Sequence, residues 1–131
     1  MMVVERVAKG RPAEMLDTKP NDAGLIALCT AAEVKPDAPV QVVRGEMTYA
    51  VFNLDGEYYV TQDLCTHGPG SLSEGFIMDG EVECPFHQGR FDIRTGRATA
   101  APCTEAVKTW AVHVVDGQIC INPISALSVG A

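Results

Sequence analysis

Two cysteines and two histidines in the middle of the chain constrain its fold more than any other feature. One residue separates Cys65 from His67, two residues separate Cys84 from His87, and residues 68–83 lie between the pairs. Thiolate is a soft ligand that suits iron, zinc or copper(I), and imidazole binds the same metals. The intervening segment is long enough for the chain to turn back, so the two pairs are predicted to form one metal site.

The spacing of these ligands distinguishes the candidate metals. Structural zinc sites usually follow the patterns Cys-x₂₋₄-Cys and His-x₃₋₅-His, whereas each pair here is mixed. A Rieske [2Fe–2S] centre needs this mixture, because two Cys bind one iron and two His bind the other. The stretch closely resembles the Rieske signature Cys-x-His…Cys-x-x-His, including its filler residues Thr66, Gly68, Pro85 and 88–91. A structural Cys₂His₂ zinc module is the alternative from a different class.

The rest of the chain has the pattern of repeated β hairpins. Asp55-Gly56, Asp79-Gly80 and Asp116-Gly117 are strong type I′ turn signals between short apolar runs. Short strands at close spacing predict an antiparallel β sandwich or barrel with little helix. Thr30 and Glu33 suggest one helical turn with a capping box. The predicted strands are 25–29, 40–43, 47–53, 58–60, 76–78, 90–93, 106–115 and 118–121, and Val82 marks the second arm of the Asp79-Gly80 hairpin.

Length and charge favour a single soluble domain. The chain has 131 residues and a net charge of −7, which argues against nucleic acid and against an anionic membrane surface. No apolar run is long enough to span a bilayer. Met1–Val4 lead directly into charged residues without the apolar segment of a signal peptide, so a cytoplasmic location is expected. We expect an N-terminal extension (1–22), then one domain (23–131) with a cluster-binding subdomain at about 63–92.

The resemblance is to one group of Rieske proteins, and it covers residues 24–122. The chain is similar to the soluble ferredoxins of bacterial aromatic-ring-hydroxylating dioxygenases of the naphthalene, toluene and biphenyl kind. Respiratory-chain Rieske proteins carry a disulfide between their cluster loops, and the matching positions here are Gly70 and Phe86. Their cluster-bonding Ser and Tyr correspond to Gly89 and Phe91. Without those hydroxyls the reduction potential is expected at the low end of the Rieske range, roughly −150 mV.

This resemblance implies the fold, the ligands and the partners. The fold is the Rieske fold, with two cluster loops inserted into the β structure, and Pro102 matches a proline loop that covers the cluster. The chain would carry single electrons from a flavin-containing NAD(P)H ferredoxin reductase to a terminal oxygenase with Rieske and mononuclear iron centres. It would be a monomer and not an enzyme. A small Rieske subunit of a nitrite reductase-type oxidoreductase is the alternative. The implied ligands of one [2Fe–2S] cluster are Cys65, His67, Cys84 and His87.

The remaining candidate residues do not make a second site. A mononuclear oxygenase iron usually needs two His and a carboxylate, and after the cluster only His113 is left. His113 is expected to face solvent on a strand, and Trp110 to serve in packing. Cys29, Cys103 and Cys120 are expected to be buried or semi-buried thiols.

Residues 63–92 are strongly acidic. They contain six acidic residues and one basic residue, Arg90. This band either steers a basic partner towards the cluster or is an ordinary solvated surface, and the sequence leaves both open. The six acidic residues are Asp63, Glu74, Asp79, Glu81, Glu83 and Asp92.

Overall fold

A computed structural model describes residues 24–66, 70–85, 88–101 and 105–127. Within these ranges the chain forms twelve strands in antiparallel sheets and contains no α-helix, which confirms the predicted fold class. No helix in this part of the chain is long and apolar enough to span a bilayer. The strands are β1 (Ile26–Thr30), β2 (Val40–Arg44), β3 (Met47–Leu54), β4 (Glu57–Gln62), β5 (Phe76–Met78), β6 (Glu81–Glu83), β7 (Arg90–Asp92), β8 (Ala98–Ala100), β9 (Thr109–Trp110), β10 (His113–Val115), β11 (Gln118–Ile121) and β12 (Ala126–Leu127).

The described strands form three sheets. Their orders are β1-β11-β10, β12-β9-β4-β3-β2 and β5-β6-β7-β8. Three of the hairpins turn at the predicted Asp-Gly pairs. Both residues of each pair have positive φ, for example 55° at Asp55 and 88° at Gly56. A type I′ turn requires this conformation at both central positions, and its twist matches that of the flanking strands.

Strand β3 joins two apolar cores, because its alternate residues point to opposite faces. Tyr49 and Val51 belong to a core shared by the three-stranded and five-stranded sheets, together with Leu28, Ile119 and Ile121. Ala50, Phe52 and Leu54 belong to a second core under the four-stranded sheet. The last six residues of β3 are all buried. This strand therefore connects the core of the three-stranded and five-stranded sheets to the core that contains Cys65 and Cys84.

Trp110 has the packing role that was predicted. It is 5% exposed, and its ring meets that of Tyr49 edge to face with centroids 4.9 Å apart. Its indole N–H donates to the Pro123 carbonyl at 3.2 Å. This arrangement satisfies the one polar group of a buried tryptophan.

Three local predictions were wrong or incomplete. The predicted strand 106–115 is two strands in different sheets, because the chain crosses between sheets at 111–112. The segment contains no Gly, Pro or other turn signal that would indicate the crossing. Residues Ala31–Glu33 do form a 3₁₀ turn, but Thr30 makes no side-chain cap, so the capping box is absent. Strands β8 and β12 were not predicted, and residues 1–22 lie outside the described residues.

Candidate metal centre

The first predicted ligand loop begins where strand β4 ends. Leu64 and Ser71 form an isolated antiparallel bridge across its base. The Cys65 N–H donates to the Gly70 carbonyl at 2.9 Å, which closes the loop. The Thr66 hydroxyl donates to the Glu105 carbonyl at 2.7 Å, so the loop is also tied to a distant segment of the chain.

The second predicted ligand loop connects β6 to β7 and closes in the same way. The Cys84 N–H donates to the Gly89 carbonyl at 2.8 Å. Gln88 has a φ of 62°, and its N–H donates to the Cys84 carbonyl at 3.0 Å. In both loops, therefore, the cysteine N–H is bonded to the carbonyl of the residue five positions later. Two equivalent loops, each starting with a cysteine, form the candidate site.

The two cysteines are set in one apolar environment. Cys65 is 3% exposed and Cys84 is 1% exposed, and both belong to the core under the four-stranded sheet. Two buried thiols in an apolar surrounding suit a soft metal centre such as an iron–sulfur cluster. His67 and His87 lie outside the described residues, as do Gly68, Phe86 and Pro102. The four-residue ligand set therefore stays a prediction.

Cys29 and Cys120 are separate from this centre. They lie on the paired strands β1 and β11, are 3% and 5% exposed, and form no disulfide. Burial raises the pKa of the Cys29 thiol to about 11 and that of the Cys120 thiol to about 11. Both are therefore neutral thiols at physiological pH, unlike a metal-bound thiolate. Their predicted burial is confirmed, whereas Cys103 lies outside the described residues.

Gly75 is a residue of the site that was not predicted from the sequence. A Cβ atom at this position would overlap the carbonyl oxygen of Glu83 and would lie 3.1 Å from a methyl group of Val82. The backbone that leaves the first loop therefore passes directly against β6, one residue before Cys84. The only sequence signal was the glycine itself, since its φ of −85° is ordinary.

The acidic band is not one continuous surface. Asp63 is 3% exposed, so its assignment to that surface was wrong. Arg90 lies 3.9 Å from Glu81 and 3.4 Å from Glu83, and it partly neutralises both. Glu74 and Asp79 are exposed. The charge of the sequence therefore overstates the acidity of the surface near the loops.

The described residues outside the two loops contain no second metal site. Among them, no group of three or more His, Cys, Asp or Glu side chains is placed to hold a metal ion. His113 is exposed on the edge strand β10, as predicted. Among the described residues, Cys65 and Cys84 are the candidate ligands that share one core.

Known proteins are similar to this chain in sequence and in structure. The anthranilate 1,2-dioxygenase ferredoxin subunit of Burkholderia cepacia is 47% identical over 90 residues, which are 69% of this chain and 83% of that protein. The structure of a Sphingomonas yanoikuyae B1 ferredoxin superposes with a TM-score of 0.72 at 47% identity, covering 73% of this chain and 95% of that one. A ferredoxin solved in complex with the oxygenase of carbazole 1,9a-dioxygenase gives a TM-score of 0.70 at 36% identity, over 74% and 91% of the two chains.

The nitrite reductase alternative has weaker support. A putative nitrite reductase (NADPH) small subunit gives a TM-score of 0.64 at 26% identity, covering 74% of this chain and 96% of that one. The ferredoxin relatives are more similar by sequence and by structure. The chain is accordingly an electron-transfer component and not a catalytic enzyme.

The family model for the Rieske [2Fe–2S] domain matches residues 24–111. That range includes both loops, both buried cysteines and most of the two cores. It supports an iron–sulfur cluster over a structural zinc module, in agreement with the mixed ligand pairs of the sequence. The chain belongs to the Rieske [2Fe–2S] family and carries the cluster that defines it.

Proposed function

We propose that this chain carries single electrons from a flavin-containing NAD(P)H ferredoxin reductase to a terminal aromatic-ring-hydroxylating oxygenase. Cys65, His67, Cys84 and His87 are the proposed ligands, two Cys on one iron and two His on the other. The observation that carries the proposal is the pair of equivalent loops, each closed by its cysteine N–H. The cluster would supply the one-electron chemistry, and the chain supplies the ligands and the buried apolar environment around the cysteines.

The relatives support the oxygenase as the partner. One is named as a subunit of a dioxygenase, and another was solved in complex with an oxygenase. Next to the two loops, Leu64 is 58% exposed and Phe76 is 67% exposed. Phe76 is paired with Glu83, the residue before Cys84. Exposed apolar side chains beside a redox centre are suited to a short-lived contact with a partner protein.

The proposed location is the cytoplasm, and the proposed state is a monomer with one domain. Support for a reducing compartment comes from Cys29 and Cys120, which are thiols and not a disulfide. We propose residues 1–22 as an extension to the single domain formed by residues 23–131. The four-stranded sheet at the cluster end continues beyond residue 92 through β8.

Reconstitution of electron flow tests the proposal. The purified holoprotein is mixed anaerobically with NADH and the reductase of the anthranilate 1,2-dioxygenase system, and its visible spectrum is recorded. We expect bleaching of the oxidised cluster and, after addition of the oxygenase and air, hydroxylated product in proportion to NADH consumed. The Cys84→Ser protein is the control. A holoprotein that the reductase does not reduce, or that supports no hydroxylation once reduced, would contradict the proposed role.

The reduction potential is expected to rise in the double variant Gly89→Ser, Phe91→Tyr. Phe91 is fully buried in the same core as Cys65 and Cys84, and Gly89 closes the second loop. Hydroxyls at these positions would donate hydrogen bonds towards the cluster sulfurs, and such bonds favour the reduced form. The midpoint potential is measured by redox titration, with Gly89→Ala as the control that adds a methyl group and no hydroxyl. A fall in potential with the cluster intact would refute this explanation.

A further inference from the structure

Asp63 is a buried carboxylate next to the first loop. It lies two residues before Cys65 and is only 3% exposed. Aspartate is rarely buried to this extent unless it is paired. Among the described residues, neither of the two ion pairs involves Asp63. Its burial is therefore compensated by hydrogen bonds.

Three donors converge on the Asp63 carboxylate. The Ser73 N–H donates to Oδ1 at 2.8 Å, and Gln41 Nε2 donates to Oδ2 at 2.8 Å. The Ser71 hydroxyl also donates to Oδ2. An ionised carboxylate is acceptor-only and has room for all three donors. Hydrogen bonds to a charged group are also stronger than those between neutral groups.

These bonds fasten the two ends of the first loop together. The Asp63 side chain holds Ser71 and Ser73, which follow the loop, while its own backbone precedes the loop. The Leu72 N–H donates to the Asp63 carbonyl at 2.7 Å, and the Asp63 N–H donates to the Thr48 carbonyl at 2.9 Å. Strands β2 and β3 are thereby connected through Asp63 to the segment that begins at Cys65.

We propose that Asp63 is a positioning residue for the first ligand loop and that its buried negative charge lowers the reduction potential of the cluster. The inference rests on the proposed ligand set, in which Cys65 and His67 belong to this loop. Reduction adds one negative charge to the cluster. A nearby charge of the same sign opposes that step, and burial reduces the screening of this interaction by salt.

The variant Asp63→Asn separates this role from a purely structural one. It keeps the shape of the side chain, removes the charge and presents an NH₂ group to donors. We expect a lower Tm, a changed EPR spectrum of the reduced cluster and a higher midpoint potential than in the wild type. Glu74→Gln is the matched control, because it removes the same charge from an exposed position after the first loop. It is expected to leave all three readouts close to the wild type.

A second variant tests the effect of charge on the potential if the Asp63→Asn protein does not retain its cluster. Gln41 is exposed and donates to Oδ2 of Asp63, so Gln41→Lys brings a positive charge to the same oxygen with Asp63 in place. Its midpoint potential is also expected to rise.

Two results would overturn the inference. The first is a midpoint potential of Asp63→Asn that equals that of Glu74→Gln. If Asp63→Asn holds no cluster, the same comparison is made between Gln41→Lys and Glu74→Gln. The other is an unchanged Tm and EPR spectrum in Asp63→Asn. Neither measurement uses a reductase or an oxygenase, so the result does not depend on the proposed partners.

Discussion

Serine in place of Cys65 or Cys84, and alanine in place of His67 or His87, is expected to give a protein without the cluster. No other cysteine or histidine stands at the required spacing, so a lost ligand cannot be replaced. Because the free energy of metal binding is coupled to folding, each variant is also expected to unfold at a lower temperature. A loss of about 1 kcal/mol lowers Tm by roughly 3–6 °C in a chain of this size. Iron and sulfide content, the visible spectrum and thermal unfolding measure the result.

The control variants are Cys29→Ala and Cys120→Ala. Both thiols are buried and neutral on the sheet β1-β11-β10, so their replacement removes a sulfur atom without touching the loops. Colour and iron content are expected to be retained, with a modest loss of stability from the small cavity. Normal iron and sulfide in any of the four ligand variants would remove that residue from the ligand set. Loss of the cluster in Cys29→Ala or Cys120→Ala would add that cysteine to the ligand set.

Gly75→Ala is expected to disturb the cluster without changing any ligand. The new methyl group would overlap the carbonyl oxygen of Glu83, and this carbonyl is backbone next to Cys84. Overpacking of this kind costs roughly 1–3 kcal/mol, and the strand cannot move aside without shifting the second loop. We expect a lower Tm, reduced cluster content and a broadened EPR signal.

Gly117→Ala is the matched control for this prediction. It adds the same atom in open space at the β10–β11 turn, where the φ of 78° imposes a backbone strain of about 1–2 kcal/mol. Stability should fall, while iron content per folded chain stays normal. If Gly75→Ala and Gly117→Ala lose stability equally and both keep a full cluster, the close approach at Gly75 has no role in holding the second loop.

The turns and the fold class could be predicted from the sequence because they depend on local chemistry. Asp55-Gly56 and the two similar pairs adopt positive φ, and few other dipeptides do so easily. The crossing after Trp110 could not be predicted in the same way. It is a matter of tertiary pairing, since Trp110 pairs with Val60 of β4 whereas His113 pairs with Cys120 of β11. The local sequence does not indicate which strands will pair.

The role of Asp63 shows the same limit at the site. In the sequence it is one of six acidic residues and was assigned to the surface. One of the donors to its carboxylate is Gln41, which is distant along the chain and reaches it only in the folded protein. The cysteines were easier to recognise, because their spacing is set by the geometry of a loop. The ion pairs of Arg90 with Glu81 and Glu83 were not predicted either, because they depend on the register between β6 and β7.

The main-chain hydrogen bonds that close both loops place no direct demand on the side chains between the bonded residues. A bond from the Cys65 N–H to Gly70, or from the Cys84 N–H to Gly89, does not depend on the side chains at 66–69 or 85–88. Substitutions at loop positions other than the proposed ligands His67 and His87 therefore leave this main-chain closure in place. Loop residues other than the proposed ligands can therefore be exchanged for those of a relative to change the preference for a partner, while the three sheets stay as they are.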